Sequence, residues 1–338
     1  MRKLVQIIGF CFMCASDRNG YQIRYYDSVK ATSVSWLWYP YIPYGKVTIV
    51  QGDPGEGKTT MMLQIAALLT RGKSIPDGKE PIQPSNVIFQ GAEDGIADTI
   101  KPRLIAAGAD CSRVAFIDTK GNEKLSLADE RFEKAIRDCN AKLLIIDPMQ
   151  AFMGSDADIT KLGGIRDAFV RITDVAEETG CAVVMIGHMN KGSGSKGIYR
   201  GLGSIDVAAA ARSVLLIGRD QDEPTTRVMV PIKSSLAPEG DAYSFELDPD
   251  TGFHWLGPCK YSSEEILGMN IHRGSKVERA KEHIRMMLKD NDMHGEVIQE
   301  RLQKLGIGRR TVTTAKIELG VETYKNGNVW FWHLDDED

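Results

Sequence analysis

The residues Gly52-Asp53-Pro54-Gly55-Glu56-Gly57-Lys58-Thr59 place glycines, a lysine and a hydroxyl at the spacing that a triphosphate needs. Glycines let the backbone curl until successive N–H groups face phosphate oxygens, and the positive end of a following helix adds to that field. Lys58 would reach the β and γ phosphates, and the Thr59 hydroxyl would hold Mg²⁺. The flanks fit this chemistry. Lys46-Val47-Thr48-Ile49-Val50 reads as a buried strand, and Thr60-Met61-Met62-Leu63-Gln64-Ile65-Ala66-Ala67-Leu68-Leu69 reads as a helix. Strand, glycine loop and helix together make residues 52–60 a phosphate-binding loop, or P-loop.

Three further residues belong to the same chemistry. Leu143-Leu144-Ile145-Ile146-Asp147 is an apolar strand ending in a carboxylate, which a parallel sheet would carry next to the loop. Asp147 would hold the Mg²⁺ water shell; the alternative, with Pro148 following, is a turn cap. A strand at 86–90 runs into Gly91-Ala92-Glu93-Asp94. Glu93 is then the candidate general base that orients water toward a γ-phosphate, with Asp94 capping the next helix, although both acids could simply start that helix. His188 ends a third strand, where ligands bind in such sheets, and reads either as a γ-phosphate sensor or as a structural histidine. The Gly/Ser/Lys loop after it, residues 189–203, offers Lys191, Lys196 and Arg200. These suit contact with a nucleic-acid backbone or an ordinary solvated loop.

Short apolar runs alternate with helical patterns from about residue 35 to 256, the signature of an α/β domain with a mostly parallel sheet flanked by helices. The expected strands are 46–51, 86–90, 114–117, 143–146, 182–186, 213–218 and 227–232; the expected helices are 59–69, 95–107, 130–139 and 165–178. This places the catalytic domain at 31–257, after an extension at 1–30 that reads as a hairpin or a disordered arm. A connection at 258–275 leads to a small unit at 276–334. That unit's pattern of helices at 276–289, 296–304 and 310–318 followed by a hairpin is the layout of a winged helix-turn-helix. Arg309, Arg310 and Lys316 on its third helix could meet DNA phosphates, and Lys325 with its Asn-Gly-Asn turn could form the wing. The acids of this module, ending in Asp335-Asp336-Glu337-Asp338, would suit a protein partner instead.

Composition narrows the setting. The 338 residues are 42% hydrophobic and 26% charged, with a net charge of −4, so any nucleic-acid site must be a local patch. Six scattered cysteines make no disulfide framework and fit a reducing cytoplasm; Cys11 and Cys14 form a close pair without the partners a zinc site needs. No run of about 18 apolar residues is present, so no membrane partner is expected. Arg2 and Lys3 ahead of an apolar run resemble a short signal peptide, but Gln6 interrupts the run.

The order of these motifs, with Ala92-Glu93-Asp94, Ile186-Gly187-His188-Met189-Asn190-Lys191 and Tyr199-Arg200-Gly201, resembles the RecA-like ATPases. Within that class the chain is most similar to RepA-type hexameric helicases of plasmids and related phage ATPases, over about residues 36–256. The resemblance implies ATP and Mg²⁺ at residues 52–60 and Asp147, catalysis by Glu93, and Arg103 packed on adenine. It also implies a ring, a hexamer in the RepA type, in which a neighbour inserts a basic finger between subunits. Arg212 is the first candidate for that finger and Lys233 the second. Where DnaB-type helicases carry an arginine two residues beyond that lysine, this chain has Ser235. The implied activity is a helicase working on single-stranded DNA at its central loops, with replication proteins as partners. The alternative is an ATP-gated regulator or loader that does not unwind.

Overall fold

In a computed structural model the protein is described over residues 23–76, 78, 80–119, 124–153, 162–189, 211–220, 223–266, 276–289, 291–304, 307–327 and 329–334. Contacts divide the chain into two units, Met1–Ser35 and Trp36–Asp338. The described part of the first carries one 3₁₀ turn, Tyr26–Ser28, with Tyr25 and Tyr26 exposed. The hairpin or arm expected at 1–30 and the Cys11–Cys14 pair lie largely or wholly outside the described residues.

The second unit opens with two short strands, β1 (Trp36–Trp38) and β2 (Ile42–Pro43). Its large sheet has nine strands: β3 (Val47–Gly52), β4 (Asn86–Gly91), β5 (Val114–Ala115), β6 (Ala141–Asp147), β7 (Ala182–His188), β8 (Ser213–Arg219), β9 (Thr226–Ser234), β10 (Ala242–Asp248) and β11 (Gly252–Cys259). Their order across the sheet is β11-β10-β9-β8-β3-β7-β6-β4-β5. The six strands from β8 to β5 are parallel, and β9, β10 and β11 extend the sheet antiparallel from β8. Parallel neighbours need a crossover of a dozen or more residues, whereas only residues 220–225 join β8 to β9, so that pair folds back on itself. The sequence pattern placed strands at 213–218 and 227–232 but not at β10 or β11.

Alternation along the central strands builds both layers of core. On β6, Leu143 and Ile145 face one cluster while Leu144 and Ile146 face the other; on β7, Ala182, Val184 and Ile186 oppose Val183 and Met185 in the same way. That two-sided burial is why these strands read as continuous apolar runs. The first layer receives the helix Lys58–Arg71, with Met61, Met62, Ile65 and Leu69 fully buried. The second receives Glu130–Cys139 and Leu162–Thr179 through Phe132, Ile136, Phe169 and Ile172. Asp129 caps the former by accepting from Arg131 N at 2.9 Å, and Asn140 ends it in the left-handed region. Trp38 sits edge-on against Tyr41, Tyr243 and Trp255, tying β1 to the antiparallel extension.

The expected helix at 95–107 forms as a π turn, Ile96–Ile100, running into an α-helix, Lys101–Ala106. Its N-cap is Gly95 with no side-chain cap, so Asp94 does not cap it.

After the short helix Ser263–Ile266 come the helices Lys276–Leu288, Gly295–Lys304 and Arg309–Glu318 and the strands β12 (Met293–His294), β13 (Glu322–Asn326) and β14 (Val329–His333). The strands form a sheet in the order β12-β14-β13. Ala280, Ile284, Ile298, Leu302, Val312, Ala315 and Trp332 make a core separate from those of the large sheet.

Candidate active site

Four parallel strand ends converge at one edge of the sheet. In the ladder Gly52 on β3 pairs with His188 on β7, and Gly91 on β4 pairs with Asp147 on β6. The loop after β3, the carboxylate of β6, the acids after β4 and the histidine of β7 therefore share a side, where α/β sheets bind ligands.

The loop's glycines are there for different reasons. Gly55 and Gly57 sit at φ +80° and +84°, in the left-handed region that glycine adopts without strain. At Gly52 the constraint is space, since a Cβ would lie 2.2 Å from the Ile217 carbonyl oxygen. The helix Lys58–Arg71 then starts with no side-chain cap, leaving its first N–H groups for an anion. Lys58 is 4% exposed, and its ammonium donates to the carbonyls of Gly52 at 2.8 Å and Asp53 at 2.7 Å. Burial lowers its pKa, against the pull of Asp147, Asp53, Glu56 and Glu93. Asp53 and Pro54 are exposed, and Thr60 is half-buried in the helix.

The Thr59 hydroxyl donates to Asp147 Oδ2 at 2.5 Å. Burial pushes the Asp147 carboxyl up, opposed by the Thr59 hydrogen bond, His188 and Lys58 and reinforced by Glu93. A hydroxyl and a half-buried carboxylate side by side are the hard oxygen donors that suit Mg²⁺. Among the described residues no group of three or more His, Cys, Asp or Glu could cage a metal. An ion held by Thr59 and Asp147 would therefore draw its other ligands from water and phosphate, as Mg²⁺ commonly does. The residues fit the ion.

Glu93 lies 3.6 Å from His188 Nε2 through its Oε2, with its side chain 65% exposed. Gln150 Nε2 donates to the His188 carbonyl at 3.3 Å. An acid that reaches into solvent beside the phosphate loop can orient a water.

The remaining sequence candidates are spread more widely. Arg103 Nη1 pairs with Asp94 Oδ2 at 2.8 Å, both about half exposed. Arg212 and Lys233 meet at the far end of β8: Lys233 donates to the Ala211 carbonyl at 2.7 Å, and Arg212 N donates to Val47 O at 3.1 Å. Burial, then Arg212, lowers the Lys233 pKa. Val47 begins β3 and Gly52 ends it, so these cations stand roughly 16 Å from the chain's own loop at strand spacing. Lys191, Lys196 and Arg200 lie outside the described residues. On the helix Arg309–Glu318, Arg309, Arg310, Thr313 and Thr314 are exposed, whereas Lys316 places its ammonium 4.8 Å from the centre of the Trp332 ring and so turns away from the face it was expected to share.

One cluster escaped the sequence reading. Glu56 Oε2 lies 3.2 Å from Arg227 Nε and 3.5 Å from Arg219 Nε. Arg219 and Arg227 face each other directly across the β8–β9 ladder, a like-charge pairing that is unfavourable without an anion between them. The signal was two arginines flanking a short hairpin, legible only once β8 and β9 are read as antiparallel.

The family model described as "AAA domain" matches residues 21–194. The "DNA repair protein RadA" of Bacillus subtilis (strain 168) is 27% identical over 152 residues, which cover 44% of this chain and 28% of that protein. The protein of the same name from Halalkalibacterium halodurans is 27% identical over 151 residues, with the same coverage. That from Brucella abortus (strain 2308) is 26% identical over 152 residues, covering 44% and 29%. The chain thus spans under a third of the length of these relatives. Among solved structures, a KaiC-like protein from Pyrococcus horikoshii OT3 aligns with a TM-score of 0.47 and 17% identity, covering 63% of this chain and 91% of that one.

Proposed function

The chain belongs to the AAA domain family and is a RecA-like P-loop ATPase, and from that premise we propose that it is a DNA-associated motor that hydrolyses ATP at an interface between its own copies. The observation that carries this reading is the split of the machinery. The phosphate loop, Thr59–Asp147 and Glu93–His188 gather at one strand edge, while the cations suited to a finger, Arg212 and Lys233, sit at the other end of β8. A charge that neutralises a transferring phosphoryl group must lie within contact of it, so those cations can act only on a neighbour's nucleotide.

In this reading the backbone of residues 52–60 and Lys58 hold the phosphates, and Thr59 and Asp147 hold Mg²⁺. When bound, Mg²⁺ would supply neutralisation of the phosphate charge. Glu93 orients the water and accepts its proton, and His188, beside Glu93, reports the terminal phosphate to the loop that follows. Arg103 reaches adenine by exchanging Asp94 for the base.

On this proposal the chain works as the RepA-type replicative helicases of plasmids and phages do. Supporting DNA as partner are the relatives named for DNA repair and the module at 276–334, which we read as a winged helix carrying Arg309 and Arg310 outward. A second reading, an ATP-gated regulator or loader, is favoured by Ser235 standing where DnaB-type helicases have an arginine. Steady-state ATP hydrolysis and strand-separation assays with and without single-stranded DNA decide between them. A motor shows stimulated turnover and unwinding; slow turnover indifferent to DNA refutes the motor and leaves the regulator.

A further inference from the structure

The phosphate loop carries an acid where a polyanion is expected. Glu56 lies between Gly55 and Gly57, next to Lys58, and its side chain is only 15% exposed. Left alone, its charge would oppose every phosphate brought to the loop. Its position is set by the antiparallel extension. Arg227 on β9, with its side chain 7% exposed, and Arg219 at the end of β8, 47% exposed, both bring Nε within ion-pair distance of the same Glu56 oxygen, a contact of charge rather than a hydrogen bond from Arg227 Nε. Arg227 Nη1 is fixed in turn on the carbonyls of Pro224 at 2.5 Å and Thr226 at 3.2 Å. Burial first, then Arg219, disfavours charge on Arg227, and Glu56 opposes both. On β10, Leu247 and Phe245 close against Gly57, where a Cβ would lie 2.5 Å from Leu247 Cδ1. Strands β8, β9 and β10 form a wall behind the crown of the loop.

We propose that Arg227 and Arg219 are positioning residues of the phosphate site, which hold the loop against this wall through Glu56 and cancel the negative charge that Glu56 would otherwise present to a polyphosphate. The proposal rests on residues 52–60 being the nucleotide site. Its consequence is that the arginines matter to nucleotide binding because of the Glu56 charge, and matter more as the ligand's charge grows.

The test is calorimetric titration of the full chain with Mg²⁺ and either ATP or ADP, on wild type, Arg227→Gln, Glu56→Gln and the double variant. Arg227→Gln is expected to weaken ATP binding about tenfold or more, because it strands a mostly buried carboxylate beside the phosphates, and to weaken ADP binding less. The double variant is expected to recover most of the ATP affinity. A double variant no better than Arg227→Gln, or equal losses for ATP and ADP, overturns the proposal and leaves Arg227 as a packing residue. Should Arg227→Gln not fold, the half-exposed Arg219→Gln, alone and with Glu56→Gln, gives the same comparison with an expected loss of a few fold. A wild-type chain that binds neither nucleotide refutes the underlying site assignment, whereas a wild type that binds with variants indistinguishable from it refutes the positioning role alone.

Discussion

Gly52 and Gly55 belong to one motif but are fixed by different physics, which a pair of substitutions separates. Gly52 has no left-handed φ; what forbids a side chain there is the carbonyl oxygen of Ile217, 2.2 Å from the added Cβ, with its carbon at 3.2 Å. Ile217 cannot retreat freely, because it is laddered to Met229 on β9 as well as lying alongside β3. Gly52→Ala must therefore pry β3 from β8, and with backbone rather than a side chain as the obstacle its cost belongs at the upper end of overpacking, about 3 kcal/mol. At roughly 2–4 °C per kcal/mol this lowers the melting temperature by about 6–12 °C. Gly55 has nothing within 4 Å but sits at φ +80°, so Gly55→Ala costs only the left-handed penalty, about 1–2 kcal/mol. Asparagine tolerates that conformation. Gly55→Asn should recover much of the loss, while Gly52→Asn should be at least as damaging as Gly52→Ala. Thermal melting of the four variants, with ATP turnover measured alongside, is the assay. A Gly52→Ala chain melting within about 1 °C of wild type, or equal tolerance of asparagine at both positions, would refute the reasoning.

Asp147→Asn is expected to abolish turnover yet stabilise the nucleotide-free chain. Burial raises the folded carboxyl pKa, so the folded state binds the proton more tightly and the wild type loses stability as pH rises from about 3.9 through the raised value. Melting should show the variant's advantage at pH 7 and none below about pH 4; an advantage independent of pH would count against burial as its cause. Glu93→Gln is expected to keep ATP binding and cut hydrolysis by about 10²–10⁴-fold, and intact single-turnover hydrolysis would move the base elsewhere. Arg212→Ala and Lys58→Ala should each be inactive alone but regain turnover when mixed, since in the proposed assembly the mixture would form interfaces that pair an intact loop with an intact finger. No recovery in mixed assemblies would argue against action between subunits.

The sequence pointed to the phosphate loop, Asp147 and Glu93, which the fold brings to one strand edge, because each depends on a local signal: glycines that permit a curl, and acids at the ends of apolar strands. It also indicated a mostly parallel sheet, since burial on both faces writes continuous apolar runs such as Leu143–Leu144–Ile145–Ile146. What it hid was pairing. Strand β11 alternates half-buried and exposed positions and contains two glycines and a proline, so it reads as loop until β10 lies beside it. The Glu56–Arg219–Arg227 cluster depends on that extension, because its members lie 163 and 171 positions apart in the chain and meet only through sheet order. Arg103 shows the converse limit. Its place on the helix Lys101–Ala106 follows from the sequence, but its bond to Asp94 depends on the loop conformation that leaves Asp94 uncapping.

In the proposed function, two carboxylates on neighbouring strand ends are given different work on account of their different surroundings. Asp147 is half-buried at the end of β6, and its oxygen accepts the Thr59 hydroxyl, a setting that disfavours its charge until a cation arrives. Glu93 lies beyond the end of β4 and reaches solvent, with His188 as its neighbour. A half-buried acid held by a hydroxyl beside it suits an ion of exacting geometry. An exposed acid can approach water and release a proton to solvent, as a general base must after each turnover. Exchanging the two side chains' environments would defeat both tasks: a mobile carboxylate holds Mg²⁺ poorly, and a sequestered one cannot shed its proton. On the proposed assignment, the one-strand offset between β6 and β4, recorded in the pairing of Gly91 with Asp147, would separate ion holder from base while leaving both at the strand edge that carries the phosphate loop.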